Sequence, residues 1–209
     1  MLVRKFFAVV FIILVSLGTA WTDSASASSE TAQAKFIDSL IGQAIKVLQV
    51  PVENKAEREA GFQKLLLHDF DMPTIVRLVL GRHWRAASPP QRTRFASAFQ
   101  THLISVYADS LGFYEGQAMT IEKTAPLTEK DTVVFTLILG EEEVPVRLDW
   151  RVRQTKEGLK VIDVATEGVS MVTTKRSEFT SLIAREGIEA LIVRLENMND
   201  KDHQNNENQ

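Results

Sequence analysis

The segment "VPVRLDWRVR", residues 144–153, alternates so regularly that it dictates its own backbone geometry. Val144, Val146, Leu148, Trp150 and Val152 share one parity, and Arg147, Asp149, Arg151 and Arg153 share the other. A repeat of two sends successive side chains to opposite faces of a sheet. One face of this strand is therefore apolar and carries a tryptophan, while the other is charged and mostly basic. The apolar face needs a cover, and the nature of that cover decides what the chain can fold into.

The repeat of two begins after Gly116 and predicts strands over residues 118–124, 132–140, 144–154 and 159–166. The links "GEEE" and "KEG" are short, polar and contain glycine, which predicts consecutive hairpins in an antiparallel meander. In the second strand Val133, Phe135, Leu137 and Leu139 are taken as the inward set; in the fourth, Val161 and Ile162 compete for the inside.

Helical spacing dominates on either side of the strands. Phe36, Ile37, Leu40, Ile41, Ala44, Ile45 and Leu48 form one stripe, closed by Pro51. A second helix runs from the N-cap candidate Asn54 to Leu67, and a third starts where Asp71 can cap and Pro73 suits the first turn, ending near Gly81. Ser88, Pro89, Pro90 and Gln91 form a capping-box start for a helix of about six turns bearing Phe95, Phe99, Leu103, Val106, Tyr107 and Leu111. The last helical region covers residues 175–186, pauses at Gly187 and resumes through Leu195; the polar run from Asn197 lacks periodicity and reads as a disordered tail, residues 197–209. Helices before and after a block of strands give an α+β domain: a four-stranded antiparallel sheet with N-terminal and C-terminal helices on one face, enclosing an apolar cavity.

The first 27 residues read as a secretory signal peptide, with Arg4 and Lys5, an apolar or small run over residues 6–20, and Ala25 and Ala27 as an A-x-A-like cleavage site. That run is shorter than the roughly twenty residues a membrane-spanning helix needs. Export with cleavage follows, and residues 28–196 remain as the domain. Loss of residues 1–27 removes two basic residues and one acidic, moving the net charge from −3 to about −4. A nucleic-acid binder would be strongly basic. With no cysteine, the chain has no disulfide, no thiolate metal site and no cysteine nucleophile.

Signals for catalysis are sparse. His68, His83, His102 and His203 show no metal-ligand spacing, and no G-x-S-x-G, P-loop or G-x-G-x-x-G occurs. His68, Asp69 and Asp71 precede a helix start, where Asp71 caps. An isomerase or hydratase with a cone-shaped pocket would need a buried acid, for which Asp109, Asp149 and Asp163 are the candidates. The positive signal is apolar: large aromatics from every segment converge between helices and sheet, as an ordinary core or as the wall of a cavity.

Leu80-Gly81-Arg82 with Trp84-Arg85, Pro90-Gln91-Arg92 before Phe95, Tyr107-Ala108, Asp163-Val164, Glu167-Gly168-Val169-Ser170, Arg176 with Phe179, and Arg185-Glu186-Gly187 before Leu191-Ile192 resemble the MlaC family, also called the toluene-tolerance or Ttg2-type family, of periplasmic phospholipid carriers. The resemblance covers about residues 36–196, with departures at Lys175 and Leu159, where tyrosine and tryptophan are usual. It implies a carrier with no catalytic residue, metal or cofactor. Its ligand would be a glycerophospholipid, shuttled between an outer-membrane lipoprotein complex and an inner-membrane ABC transporter complex. Acyl chains would lie between sheet and helices, against Phe70, Trp84, Phe99, Leu103, Tyr107, Phe179 and Ile183 from the helical segments. Phe135, Leu137, Val146, Leu148, Trp150, Val164 and Val169 would line the sheet side. A hopanoid or polyprenoid cargo, or a non-catalytic adaptor without a cavity, are the other readings.

Overall fold

Residue parity in β3 (Val146–Thr155) organises a five-stranded antiparallel sheet in the order β1-β2-β3-β4-β5, with β1 (Ala118–Pro126), β2 (Asp131–Leu139), β4 (Gly158–Thr166) and β5 (Val169–Ser170). The computed structural model describes residues 31–51, 53–110, 118–139 and 145–207, by their backbone alone at 107–110 and 201–207. The N-terminal segment and the "GEEE" hairpin lie outside the described residues.

The sheet has five strands, one more than expected. After β4, Glu167 and Gly168 both take positive φ (50° and 78°), so the chain reverses in two residues and Val169–Ser170 pairs back onto Thr166 and Ala165. Positive φ at both central residues is the geometry of a primed hairpin turn, and a bulky glutamate at the first position hides it from sequence patterning.

The register corrects the expected inward face of β2. Val134 pairs with Trp150 and Thr136 with Leu148, whereas Phe135 pairs with Asp149 and Leu137 with Arg147. Phe135 and Leu137 therefore share the charged face of β3 and oppose the apolar one. Both parities of β2 are largely apolar, so alternation within that strand could not choose between them. In β4 the competition between Val161 and Ile162 is resolved by a bulge: Arg151 pairs with Asp163 and Val152 with Val161, which leaves Ile162 as the extra residue, and both Val161 and Ile162 are fully buried.

Helix α1 (Ala32–Leu48) starts where Thr31 Oγ1 accepts from the Ala34 amide, at 3.1 Å. It lays Ile37, Leu40 and Ile41 on Val134, Trp150, Val152 and Val161, joined by Leu65 of α2 (Lys55–Asp69). Asn54 sits at the α2 N-cap but makes no side-chain cap bond. Asp71 does cap α3 (Met72–Leu80), accepting from the Thr74 amide at 3.0 Å. A short turn of helix, α4 (His83–Ala86), was not expected. Helix α5 (Pro89–Ser110) opens with the reciprocal capping box, Ser88 N to Gln91 Oε1 at 3.0 Å and Gln91 N to Ser88 Oγ at 3.4 Å.

Helix α6 (Met171–Glu207) breaks at Gly187 (φ 84°, ψ 165°), where the sequence pauses, and continues through the stretch read as a disordered tail. The physical reason lies in its contacts with α5. Arg94 clamps Glu196 with two bonds, at 3.0 and 2.7 Å, and also pairs with Glu189, while the buried Asn199 donates Nδ2–H to the Ala98 carbonyl at 3.0 Å. These anchors extend the helix beyond Asn197 without any apolar repeat. Residues of α2, α3, α5 and α6 form a second core, in which the rings of Phe95 and Phe99 stack at 5.6 Å and each meets Phe179 edge-on at 5.7 Å.

Two locks tie these parts together. Asp131, 1% exposed, accepts from Arg153 (Nε to Oδ1, 2.6 Å) and from Arg151 (Nε to Oδ2, 3.0 Å), joining β2 to β3. Arg153 first, and then Arg151, hold the Asp131 carboxyl down at about 2 against the opposing effect of burial. Gly81 (φ 53°) lets the chain leave α3 beside Arg176, whose Nε–H donates to the Leu78 carbonyl at 2.6 Å; a Cβ at Gly81 would come within 3.2 Å of Arg176 Cδ.

Asp131→Asn should lower unfolding free energy in urea by roughly 3 kcal/mol, because removing one partner strands buried or half-buried charge. Since the folded-state pKa lies below the unfolded one, the contribution is complete above about pH 4 and fades as pH falls toward 2, so the gap between wild type and variant should narrow over that window. Gly81→Ala should cost more than about 1 kcal/mol through its positive φ.

Candidate functional site

Along β3 the apolar face is progressively uncovered. Val152 is 1% exposed and Trp150 9%, Leu148 is half-buried, and Val146 reaches 37%. The covered end lies under α1 and Leu65; toward the other end the neighbours Met119, Ile121, Ile138 and Val164 are only half-buried. Cross-strand pairing aligns Thr136, Leu148, Thr166 and Val169 in one row, and Met119, Ile138 and Val146 in the next. Val169, at 62%, is the most exposed large apolar residue described, and it closes the first of these rows. The apolar face of the sheet is thus dry at one end and half-exposed at the other, which makes the exposed end the candidate seat for a hydrophobic guest.

Trp150 marks the boundary between the covered and the half-exposed part of that face. Its indole Nε1–H donates to Thr136 Oγ1 at 3.1 Å, and the Thr136 hydroxyl donates to the Leu148 carbonyl at 2.7 Å. Every polar group of the tryptophan is thus satisfied inside the sheet, leaving the ring as apolar wall.

The structure divides the sequence-selected residues into sets. Val146, Leu148, Trp150, Val164 and Val169 share the uncovered face. Phe99, Leu103 and Phe179 belong to the helical core, with Trp84 and Ile183 at its margin; Trp84 lies under the Arg92 guanidinium, 5.1 Å from the ring centre. Phe70 touches both cores and bridges to Val161, the only one of the fourteen with described side chains to do so. Phe135 and Leu137 lie on the opposite face, where Lys123 and Arg147 flank the Phe135 ring at 5.0 and 5.7 Å. Tyr107 is in α5, its side chain outside the described residues.

Sequence reasoning missed Met119, Ile121, Ile138 and Thr136. Apolar alternation at Met119 and Ile121 was visible, but only the pairing places them beside Leu148.

Two of the three acids considered for catalysis have structural partners. Asp163 accepts from Ser170 Oγ at 2.5 Å and from the Val172 amide at 3.1 Å, holding the start of α6 against β4. Asp149 lies on the opposite face and takes the Arg147 guanidinium at 2.9 Å. Asp109 has its side chain outside the described residues. Among the described residues, no group of three or more histidines and carboxylates is placed to hold a metal ion.

An antiparallel sheet flanked by helices, with one end of its apolar face left half-exposed, defines an α+β fold that leaves apolar surface accessible. Residues 38–197 match the model of the MlaC protein family. The chain belongs to the MlaC family. It is 23% identical, over 196 residues that span 89% of this chain and 91% of the relative, to the intermembrane phospholipid transport system binding protein MlaC of Haemophilus influenzae. The fold is shared with a phospholipid-binding protein from Ralstonia solanacearum solved in complex with a phospholipid, at a TM-score of 0.70 and 22% identity over 81% of this chain and 97% of that one.

Thr136→Val should cost about 1–3 kcal/mol by leaving the buried indole N–H without an acceptor, and Thr136→Ser should recover most of it. Urea unfolding followed by circular dichroism measures both.

Proposed function

We propose that this protein is a periplasmic carrier of glycerophospholipid, exported with a cleaved signal peptide and moving between outer-membrane and inner-membrane complexes. The supporting observation is the gradient of exposure along β3, from 1% at Val152 to 37% at Val146. Acyl chains enter beside Val146 and Val169, run over Leu148 and Val164, and end against Trp150. The head group stays at the mouth, in water.

Energetics explain why a bare apolar face serves this purpose. Transfer of about thirty chain methylenes into water costs on the order of 24 kcal/mol at ~0.8 kcal/mol each. A carrier must offset nearly all of that, yet bind no more tightly than a bilayer if it is to release its cargo. A cleft open at one end meets both demands: it needs little reorganisation to accept a chain, and its rim can be reached by the next acceptor.

Organic extraction of protein purified from the periplasm, followed by mass spectrometry, should yield close to one phospholipid per chain. Leu148→Asp places a charge in the middle of the uncovered face and should reduce the recovered lipid at least tenfold while the melting transition persists. Recovery of a hopanoid or polyprenoid instead would reassign the cargo, and lipid-free wild type from every preparation would end the carrier reading.

A further inference from the structure

We infer that Trp150, held by Thr136, is a length stop for the acyl chain: the sheet face seats chains of ordinary membrane length and excludes longer ones. This role rests on the carrier reading above and adds to it a residue that selects among cargoes.

Register places the stop. Trp150 pairs with Val134 and Val164, whereas Thr136 pairs with Leu148, one row nearer the half-exposed end. The bond from the indole Nε1–H to Thr136 Oγ1 therefore carries the ring across the boundary between those two rows. Burial agrees with that placement. Ile121, Leu148 and Thr166 lie in the same row as Thr136 and all keep contact with solvent, yet Thr136 is fully buried beneath the indole that it binds. Behind the ring the face is closed, with Val134, Val152 and Val161 at most 1% exposed under Ile37, Leu40 and Ile41 of α1.

The ring is also fixed. Thr136 gives its own hydroxyl proton to the Leu148 carbonyl at 2.7 Å, so its oxygen is oriented to accept from the indole. Turning the ring aside would leave a buried N–H without an acceptor. A chain end that meets Trp150 thus meets a wall that does not yield.

Length decides what such a wall selects. From Val146 to Trp150 is four residues along β3, about 14 Å at ~3.4 Å per residue. Chains in one leaflet of a bilayer occupy about 15 Å, half of a hydrocarbon core of roughly 30 Å. The two lengths nearly coincide, so a chain of ordinary length fills the seat and each further methylene stays outside it, in water. Every methylene stranded in this way lowers transfer from bilayer to protein about fourfold. Selection by length is therefore steep, although the face itself is plain apolar surface.

The test offers the mature protein vesicles of phosphatidylcholines in equal amounts, with paired monounsaturated chains from about fourteen to about twenty-two carbons, which bracket the leaflet depth. The protein is reisolated and its bound species are counted by mass spectrometry. Wild type should show an optimum, with a fall of at least about tenfold for each two carbons beyond it. Trp150→Leu should move that optimum upward by at least about two carbons, because the space it vacates closes only in part. Trp150→Phe keeps a ring and guards against misfolding; without the bond to Thr136 it should raise the species just beyond the wild-type optimum at least about threefold. Phe99→Leu, in the helical core, should leave the profile as it is in wild type. A flat wild-type profile, a profile unchanged in both Trp150 variants, or an equal shift in Phe99→Leu overturns the length stop while lipid binding itself stands. Lipid on none of the four proteins overturns the length stop and the carrier reading together.

Discussion

The pairing of β2 with β3 is the constraint on which the rest of the structure depends. A slip of one residue would exchange the two faces of β2, placing Phe135 beside Trp150 and Val134 beside Arg151. Apolar content alone does not forbid that slip, because β2 is greasy on both sides. Polar bonds do. Thr136 is within reach of both the Trp150 indole and the Leu148 carbonyl only in the observed register, and Asp131 meets Arg151 and Arg153 only there. Specificity in this sheet comes from a few buried polar contacts, while burial supplies the bulk of the stability.

Once that register is set, the uneven cover of the apolar face follows from geometry. Helix α1 covers the end of the apolar face that contains Val134 and Val152, and the chain supplies less cover for the rows containing Leu148 and Val146. The second core, built around Phe95, Phe99 and Phe179, is filled by its own aromatic contacts and needs no guest. This distinction was invisible in a pooled set of aromatic residues, which treats Phe99 and Trp150 as equivalent walls.

What could be read from the residues followed the strength of the local signal. β3 was legible because its charged parity is unambiguous, and α5 because Ser88 and Gln91 form a capping box. The strand β2 was legible too, but its inward face was not, since Val133, Val134, Phe135, Leu137 and Ile138 leave no polar face to read. β5 depends on a glutamate at positive φ, and the extension of α6 past Asn197 depends on Arg94 and Asn199 reaching α5 from a distance in sequence. Of the proposed cleft, Val146, Leu148 and Trp150 were legible from parity, whereas Met119, Ile121 and Ile138 required knowledge of which strand lies beside which.

Phe70 stands where the two cores touch, contributing to both while α2 gives way to α3. A domain assembled in this way has more than one cooperative unit, since contacts are dense within each core and narrow between them. Amide exchange in α5 and α6 is then governed by aromatic interlock and by the Arg94 clamp, whereas exchange in the outer rows of the sheet answers to whatever lies upon it. On the carrier reading proposed above, losing a guest from the sheet face is a local event, and the helical half of the molecule keeps its shape through it.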